Sequence, residues 1–195
     1  MIVIGNGQSR QTINLNNLTG QKIGCNAIIR DTHVDYLVCC DKKMVRQALQ
    51  QNFSPIYTRS RWSDDFDSVH VQSLPELPYK GEDRKDDPFN WGSGPYAILL
   101  ACNLQKTKPT ATNIKLVGFD LYGTESGKTN NVYANTKGYN DESADAVDWS
   151  YWVYQIAKIF EYNPEKTFHI FNQKDWKVPE SWNFDNIKVD TLQKL

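Results

Sequence analysis

The chain opens with a short apolar run that stops at two glycines: Ile-Val-Ile over residues 2–4 is followed by Gly5-Asn6-Gly7. Consecutive aliphatic residues without polar alternation are typical of a strand buried on both faces of a parallel sheet. Gly5 and Gly7 allow a sharp turn and a close approach of the main chain to a ligand. Ser9 suits the cap of a following helix, whose first N–H groups attract anions such as phosphate. The stretch therefore predicts either a nucleotide-binding corner of an α/β domain or a tight strand-to-helix turn without a ligand.

The rest of the chain alternates between strand-like and helix-like stretches. Strands are predicted over 22–29, 34–40, 55–58, 69–71, 114–118 and 167–172, and helices over 42–51, 96–104 and 145–162. This alternation predicts an α/β fold with a mainly parallel, Rossmann-like sheet flanked by helices. We expect one domain over residues 1–195, with a long loop over 74–91, a lid loop near 123–140, and a C-terminal tail over 173–195 that covers a sheet edge or forms an interface.

Polar residues or glycines follow nearly every predicted strand. They are Gly5-Asn6-Gly7, Asn26, Asp41, Gly118 with Asp120, and Asn172. In open parallel sheets, ligands bind beyond the carboxyl ends of the strands. Ser93-Gly94-Pro95 begins a predicted helix and should face the same side, as a second candidate anion corner. The sequence therefore predicts one crevice that is lined by the ends of several strands.

Composition restricts the partners and the compartment. A hydrophobic fraction of 39% is typical of a soluble globular protein, and a net charge of -1 gives no overall attraction to nucleic acid or anionic membranes. No apolar run approaches the roughly 20 residues that cross a bilayer. The cysteines lack the spacing of a metal or redox site, and Met1 leads directly into a predicted strand. We therefore expect a cytoplasmic protein whose cysteines are reduced and lie in the core. The sequence is compatible with a monomer or a homo-oligomer.

Four short motifs occur in order along the chain. They are Gly5-Asn6-Gly7-Gln8-Ser9, Gly24-Cys25-Asn26, Gly92-Ser93-Gly94, and Gly118-Phe119-Asp120-Leu121-Tyr122. In this order and spacing they resemble the bacterial sialyltransferases of glycosyltransferase family 42 and related phage and bacterial proteins. That family shows Gly-Asn-Gly-Pro-Ser, Arg/Gly-Cys-Asn, Thr-Ser-Gly and Gly-Ile-Asp-Phe-Tyr at the corresponding places.

The resemblance implies transfer of a sugar from a CMP-type nucleotide sugar to a hydroxyl acceptor, without a metal or other cofactor. It places Asp120 and Tyr122 beside the nucleotide or the departing phosphate. Tyrosine hydroxyls from the following loop stabilise that phosphate in the family, and Tyr133 and Tyr139 are the candidates here. The candidate nucleotide-binding residues are Gly5, Asn6, Gly7, Ser9, Asn26, Asp41, Ser93 and Gly94.

Two positions depart from the family pattern. Asp41 stands where the family has an asparagine, and its carboxylate repels a phosphate but can hold a ribose or sugar hydroxyl. The family's general-base histidine has no counterpart in residues 138–149. Carboxylates occur there instead, and Asp145 is the candidate base among Asp141, Glu142, Asp145 and Asp148. The departures indicate a changed donor, a changed acceptor or lost catalysis.

Two other functions fit the same residues. One is a non-catalytic nucleotide-binding or regulatory protein on this fold, and the other is a phage-type enzyme that modifies nucleic acid or a nucleotide. The acidic stretch Asp64-Asp65-Phe66-Asp67 contains an Asp-x-Asp pair, for which a solvated turn is favoured over a metal site. Arg59, Arg61 and Trp62 suit phosphate binding or stacking, although a solvated connection is favoured.

Overall fold

The computed structural model describes residues 1–106 and 112–195, and these form a parallel sheet of eight strands with helices on its faces. The strands are β1 Ile2–Ile4, β2 Lys22–Cys25, β3 Tyr36–Val38, β4 Ile56–Thr58, β5 Val71–Ser73, β6 Asn113–Val117, β7 Thr167–Asn172 and β8 Ile187–Thr191. The α-helices are α1 Lys42–Gln50, α2 Ser60–Ser63, α3 Ser93–Gln105 and α4 Ser150–Tyr162. The prediction of an α/β, Rossmann-like sheet is confirmed.

The order of the strands reverses at β1. The sheet reads β5-β4-β3-β2-β1-β6-β7-β8, and every pair in it is parallel. The chain runs outward from β1 to β5, returns to β6 on the other side of β1, and then continues to β8. Loops on the carboxyl side of β1 and β6 therefore leave in opposite directions, and a crevice opens between them.

Helix α3 forms the centre of one face of the sheet. It contacts β1, β2, β3 and β6, and it is covered in turn by α4. Its residues are buried on nearly all sides, which explains why it is apolar all round instead of amphipathic. This packing places its first residue, Ser93, at the carboxyl edge of the sheet.

Several predicted boundaries are wrong. The strand predicted over 22–29 ends at Cys25, and a 3-10 helix follows over Asn26–Arg30 because Asn26 adopts a left-handed φ of 52°. Helix α4 begins at Ser150 instead of residue 145. At this start, the Asp148 side chain accepts a hydrogen bond from the Ser150 N–H. The tail contributes β8, which extends the sheet edge beside β7.

No helix among residues 1–106 and 112–195 is long and apolar enough to cross a bilayer.

Candidate functional site

A cavity of about 310 Å³, here called the central cavity, lies where β1, β2, β3 and β6 end. Most of the predicted site residues line it: Gly5, Asn6, Gly7, Asn26, Asp41, Ser93, Gly94, Asp120 and Tyr139. They come from loops that are up to about two-thirds of the chain apart, and the reversal of strand order at β1 brings them together. The predicted crevice at the strand ends is therefore present.

The side chain of Asn6, which lines this cavity, has a buried hydrogen-bond acceptor without a partner among the described residues. The main-chain oxygen of Asn6 accepts a hydrogen bond from the Val132 N–H at 2.9 Å. Its side-chain Oδ1 is buried and accepts no hydrogen bond from any described residue. An unpaired buried acceptor costs about 1–3 kcal/mol. Because Asn6 lines the central cavity, a ligand N–H or O–H that reaches this oxygen would remove the cost.

Hydrogen-bond donors gather where α3 begins. The Ser93 hydroxyl donates to Asn26 Oδ1 at 3.0 Å and accepts from the Cys40 N–H at 3.0 Å. The helix has no side-chain cap, and the N–H groups of Ser93 and Gly94 meet no acceptor among the described residues. The start of a helix carries roughly half a positive charge. This end of the cavity is therefore suited to an anionic group.

Arg59 adds a full positive charge to the cavity wall. Its guanidinium donates to the carbonyl oxygens of Cys40 and Trp91, at 2.8 Å in both cases. It also lies 4.7 Å from the Trp62 ring and 4.9 Å from the Phe89 ring, measured to the ring centroids. Arg59 thus packs against the Trp62–Phe89 pair, whose ring centroids are 5.8 Å apart, beside the cavity, where the sequence favoured a solvated connection.

The corner after β1 differs from the prediction. Ser9 does not cap an α-helix, since a 3-10 helix over Gln8–Thr12 follows β1. Both the N–H and the hydroxyl of Ser9 donate to the carboxylate of Asp120, and a Cβ on Gly7 would overlap that carboxylate. The Ser9 N–H is therefore directed at a carboxylate, while the Gln8 N–H donates to Asn130 Oδ1 and the Gly7 N–H donates to the Gly118 oxygen. The Trp176 indole N–H also donates to the Asp120 main-chain oxygen, at 2.9 Å.

The two candidate tyrosines have different roles. Tyr139 lines the central cavity and accepts a hydrogen bond from the Ala27 N–H at 3.4 Å, which leaves its own proton free to donate. Burial raises the pKa of Tyr139 above its usual value, so its hydroxyl remains protonated. Tyr133 is buried, donates to Asp31 at 2.6 Å and accepts from Arg10 at 2.7 Å. Its hydroxyl bridges the buried guanidinium of Arg10 and the exposed carboxylate of Asp31, and Tyr133 does not line the cavity.

The segment predicted as a lid forms one wall of the central cavity, through Asn130 and Asn131. Asn130 Oδ1 accepts a hydrogen bond from the Gln8 N–H at 2.9 Å. The Lys43 ammonium donates to the Gly138 oxygen at 2.8 Å, and the Arg30 guanidinium donates to the oxygen of the preceding residue at 3.0 Å. The wall is therefore attached to the rest of the domain at both ends, and its opening as a lid stays a prediction.

Two further cavities adjoin the central one. The side cavity, of about 310 Å³, shares Asp41, Tyr139 and Trp152 with it. The tail cavity, of about 1080 Å³, shares Asp120 with it and is lined by Ser9, Tyr122, Trp149, Asn172, Trp176 and neighbouring residues of the C-terminal tail. Ser9 and Tyr122 therefore line the tail cavity instead of the central one, and Tyr122 also lines the side cavity.

Asp145 lies away from these cavities. Its side chain is 89% exposed and accepts a hydrogen bond from the Lys128 ammonium at 2.7 Å, which lowers the pKa of the carboxyl. The role of Asp145 as the general base stays a prediction, and its carboxylate lines none of the three cavities. The acidic stretch at 64–67 is also at the surface, where Asp65 pairs with Lys42. Residues 1–106 and 112–195 contain no cluster of three potential metal ligands.

Sequence reasoning missed three residues that line the central cavity, Asn130, Asn131 and Trp152, and it favoured a solvated connection for Arg59 over phosphate binding. Trp152 fits the apolar stripe of α4, and this pattern predicts burial in the core. The two asparagines lie in a polar stretch without periodicity. No local signal separated them from ordinary loop residues.

No family model matches the chain, and no curated protein or solved structure matches it either.

Proposed function

We propose that the chain binds a CMP-type nucleotide sugar in the central cavity and transfers the sugar to a hydroxyl acceptor. The buried, unpaired Oδ1 of Asn6 carries this proposal, because it favours a ligand that supplies a hydrogen-bond donor. The same cavity has donors for an anion at the start of α3. A nucleotide sugar combines both properties, since it carries hydroxyl groups next to a phosphate.

The phosphate binds between the start of α3 and Arg59. The N–H groups of Ser93 and Gly94, the Arg59 guanidinium and the Tyr139 hydroxyl supply donors there. Donors already aimed at the leaving phosphate stabilise the charge that grows on it during transfer. Because these donors are all groups of the protein, the proposed chemistry uses no metal ion.

The nucleoside extends from the phosphate into the side cavity. Trp152 offers a ring for stacking, and the Asp41 carboxylate can accept hydrogen bonds from ribose hydroxyls. The sugar then lies toward Asn6 and Asp120, where Asn6 Oδ1 accepts a hydroxyl hydrogen bond. The choice of cytidine over other bases depends on the four sequence motifs.

The transfer step uses Asp120, whose carboxylate is common to the central and tail cavities. The acceptor oxygen forms a bond to the anomeric carbon while the bond between that carbon and the phosphate oxygen breaks. The electron pair leaves with the phosphate, and the acceptor proton passes to the Asp120 carboxylate. Asp120 replaces Asp145 as the candidate base because it borders the site of reaction.

A nucleotide-binding protein without transferase activity is the second candidate. Both carboxylate oxygens of Asp120 already accept hydrogen bonds from Ser9, which is a structural use of that side chain. This arrangement braces the loop after β1 against the loop after β6, whether or not a reaction takes place.

Calorimetric titration with CMP, UMP, UDP and GDP tests the binding site. We expect CMP to bind, and Asn6→Ala to weaken it by about tenfold. Asn103→Ala is the matched control, since Asn103 is exposed on the surface of α3 away from the cavity. Absence of nucleotide binding, or equal affinity in Asn6→Ala and wild type, would overturn the proposal.

Hydrolysis of CMP-sugars separates the two candidates. The transferase predicts slow release of the sugar to water, and Asp120→Asn, which keeps the shape of the side chain, should abolish it. CMP binding without hydrolysis or transfer from any CMP-sugar would favour the non-catalytic protein.

A further inference from the structure

Strand β8 forms one edge of the sheet, and its outer side pairs with no strand among residues 1–106 and 112–195. An open strand edge carries N–H and C=O groups that can pair with another chain. We propose that a second copy of this chain pairs with β8 in the antiparallel sense, with the Val189 residues of the two copies opposite each other. This dimer is independent of the proposed nucleotide site.

The two edges of the sheet differ in how far they are covered. At the opposite edge, β5 has three residues and is contacted by α2. β8 has five residues, and among the described elements it contacts β7 extensively. Val189, in the middle of β8, remains 42% exposed although it is apolar. Because short or covered edges resist pairing, β8 is the edge that suits a second copy.

The direction of the peptide groups determines which residues of β8 can pair outward. The Phe168 N–H of β7 donates to the Asn186 oxygen, one residue before β8, at 2.8 Å. In a parallel pair, alternate residues direct their N–H and C=O groups at the same neighbour. Asn186 and every second residue after it therefore face β7, whereas Ile187, Val189 and Thr191 direct these groups outward.

The free outward groups match those of a second copy. The Ile187 N–H already donates to the Phe184 oxygen at 3.4 Å, and the Thr191 oxygen begins the 3-10 helix Leu192–Lys194. The Ile187 oxygen, both groups of Val189 and the Thr191 N–H have no main-chain partner outside the sheet among the described residues. In the proposed pair, the Val189 residues exchange both bonds, and the Ile187 oxygen accepts from the Thr191 N–H of the second copy. Each free group of one copy thereby meets a free group of the other.

The charges of β8 favour the same register. Lys188 and Asp190 flank Val189, and their side chains lie on one face of the sheet. With Val189 at the two-fold axis, Lys188 of each copy lies directly opposite Asp190 of the other. A shift of the axis to Lys188 or to Asp190 would place two like charges opposite each other. Asp190 pairs with Lys194, whereas Lys188 forms no ion pair with a described residue.

The proposed dimer leaves both central cavities open. Each cavity lies at the carboxyl ends of β1, β2, β3 and β6, away from the β8 edge. Antiparallel pairing reverses the second sheet, so the two cavities lie at opposite edges of the joined sheet. We therefore expect the affinity for CMP to be the same in monomer and dimer.

Sedimentation velocity over a protein concentration of about 1–300 μM tests the dimer. We expect wild type to change from monomer to dimer within this range, because a short edge pair is at the weak end of specific interfaces. Lys188→Asp and Asp190→Lys should each weaken dimerisation at least about tenfold, since each places like charges opposite each other. Lys137→Asp is the matched charge control and should dimerise as wild type does. Lys137 is exposed and lies beside α1, in the other half of the sheet.

A mixture of Lys188→Asp and Asp190→Lys tests the register itself. One chain then carries two negative charges in β8 and the other carries two positive ones, so every cross-strand pair between them is complementary. We expect the mixture to dimerise at least about tenfold more tightly than either variant alone. A mixture of Lys137→Asp with Asp190→Lys should show no such gain.

Val189→Pro tests the backbone pairing. Proline removes an outward N–H that β8 does not use within its own sheet, so the monomer should remain folded and the dimer should be lost. Urea unfolding of each variant verifies that the fold is retained.

Four results would overturn the inference. They are a monomeric wild type at every concentration, unchanged dimerisation of Lys188→Asp, no gain in the mixture, and a dimer that survives Val189→Pro. A monomeric wild type would mean that Lys188 keeps this edge unpaired. Titration with CMP separates this inference from the proposed function: a monomer that binds CMP rejects only the dimer, and a dimer that fails to bind CMP rejects only the nucleotide site.

Discussion

The two glycine corners of this chain look alike in sequence and differ in structure. Gly5-Asn6-Gly7 follows β1 and Gly92-Ser93-Gly94 spans the start of α3, and both predicted an anion site. The first corner leads into a 3-10 helix of five residues, whereas the second opens an α-helix of 13 residues. Only the second therefore has a long row of aligned peptide dipoles behind its N–H groups.

The charges that face the two corners are also opposite. Asp120 occupies the first corner and accepts hydrogen bonds from Ser9, while the Arg59 guanidinium and the Tyr139 hydroxyl lie on the cavity wall with the second. A glycine turn therefore suits an anion only where its N–H groups remain free and no carboxylate lies among them. Changes at four positions test this contrast, and the expected effect decreases in the order Arg59, Gly7, Ser9 and Tyr139.

Removal of the positive charge near the second corner should have the largest effect. We expect Arg59→Met to weaken CMP binding by about 1.5–3 kcal/mol, because a charge-assisted contact to the phosphate is lost. Arg46→Met is the control, since Arg46 is exposed on α1 and packs over Phe66 outside the cavity. Calorimetric titration measures both. Equal losses in the two variants would mean that overall charge, and not this position, determines affinity.

Replacement of a glycine by alanine should lower the free energy of unfolding more at the first corner than at the second. Gly7 has a φ of -65°, which alanine adopts readily, but its Cβ would overlap the Asp120 carboxylate. We expect Gly7→Ala to lower the free energy of unfolding by about 1–3 kcal/mol. At Gly94 the nearest atom to a Cβ is in the Phe119 ring, at 3.3 Å. Because alanine also favours the helix, Gly94→Ala should change stability by less than about 1 kcal/mol. Urea denaturation tests the order, and a larger loss at Gly94 would contradict it.

Replacement of Ser9 and of Ser93 by alanine should lower stability by different amounts, and this difference should be smaller than the one between the two glycines. Ser9 donates to a charged carboxylate, whereas Ser93 exchanges hydrogen bonds with the neutral groups of Asn26 and Cys40. Loss of a charged hydrogen bond costs about 1.5–3 kcal/mol and loss of a neutral one about 1 kcal/mol. We therefore expect Ser9→Ala to be less stable than Ser93→Ala by about 1 kcal/mol. The difference should vanish in an Asp120→Ala background, and its persistence there would show that the carboxylate is not the cause.

The ionisation of Tyr139 should have the smallest effect on stability, because it occurs only at alkaline pH. Burial raises the pKa of Tyr139, so the unfolded chain loses this proton first and stability falls as the pH rises above about 10. Tyr139→Phe should make that fall less steep. Burial also raises the pKa of Cys40, to about 11, but this contribution is the same in both proteins. Identical pH profiles of unfolding for the two proteins would show that the hydroxyl is accessible to solvent.

Local patterns were sufficient for the fold class and for the crevice. The aliphatic run at 2–4 and the alternation of strands with helices predicted the parallel sheet, because burial on both faces requires such residues. Asn6, Asn26, Asp41 and Ser93 could be placed on one side because the carboxyl ends of parallel strands share an edge. The eighth strand escaped prediction, since Ile187–Thr191 is stabilised by its pairing with β7 and not by a strong pattern of its own.

Side-chain roles depended on contacts between distant parts of the chain. Tyr133 bonds to both partners of the Arg10–Asp31 ion pair, and Asp120 bonds to Ser9, over separations of more than 100 residues. Arg59 became part of the cavity wall because the loop after β3 and the segment before α3 supply carbonyl oxygens that accept its hydrogen bonds. Backbone conformation and burial are governed by near neighbours and so can be predicted from local sequence. The partner of a hydrogen bond or charge is chosen by the packing of the whole sheet, which no single stretch of sequence contains.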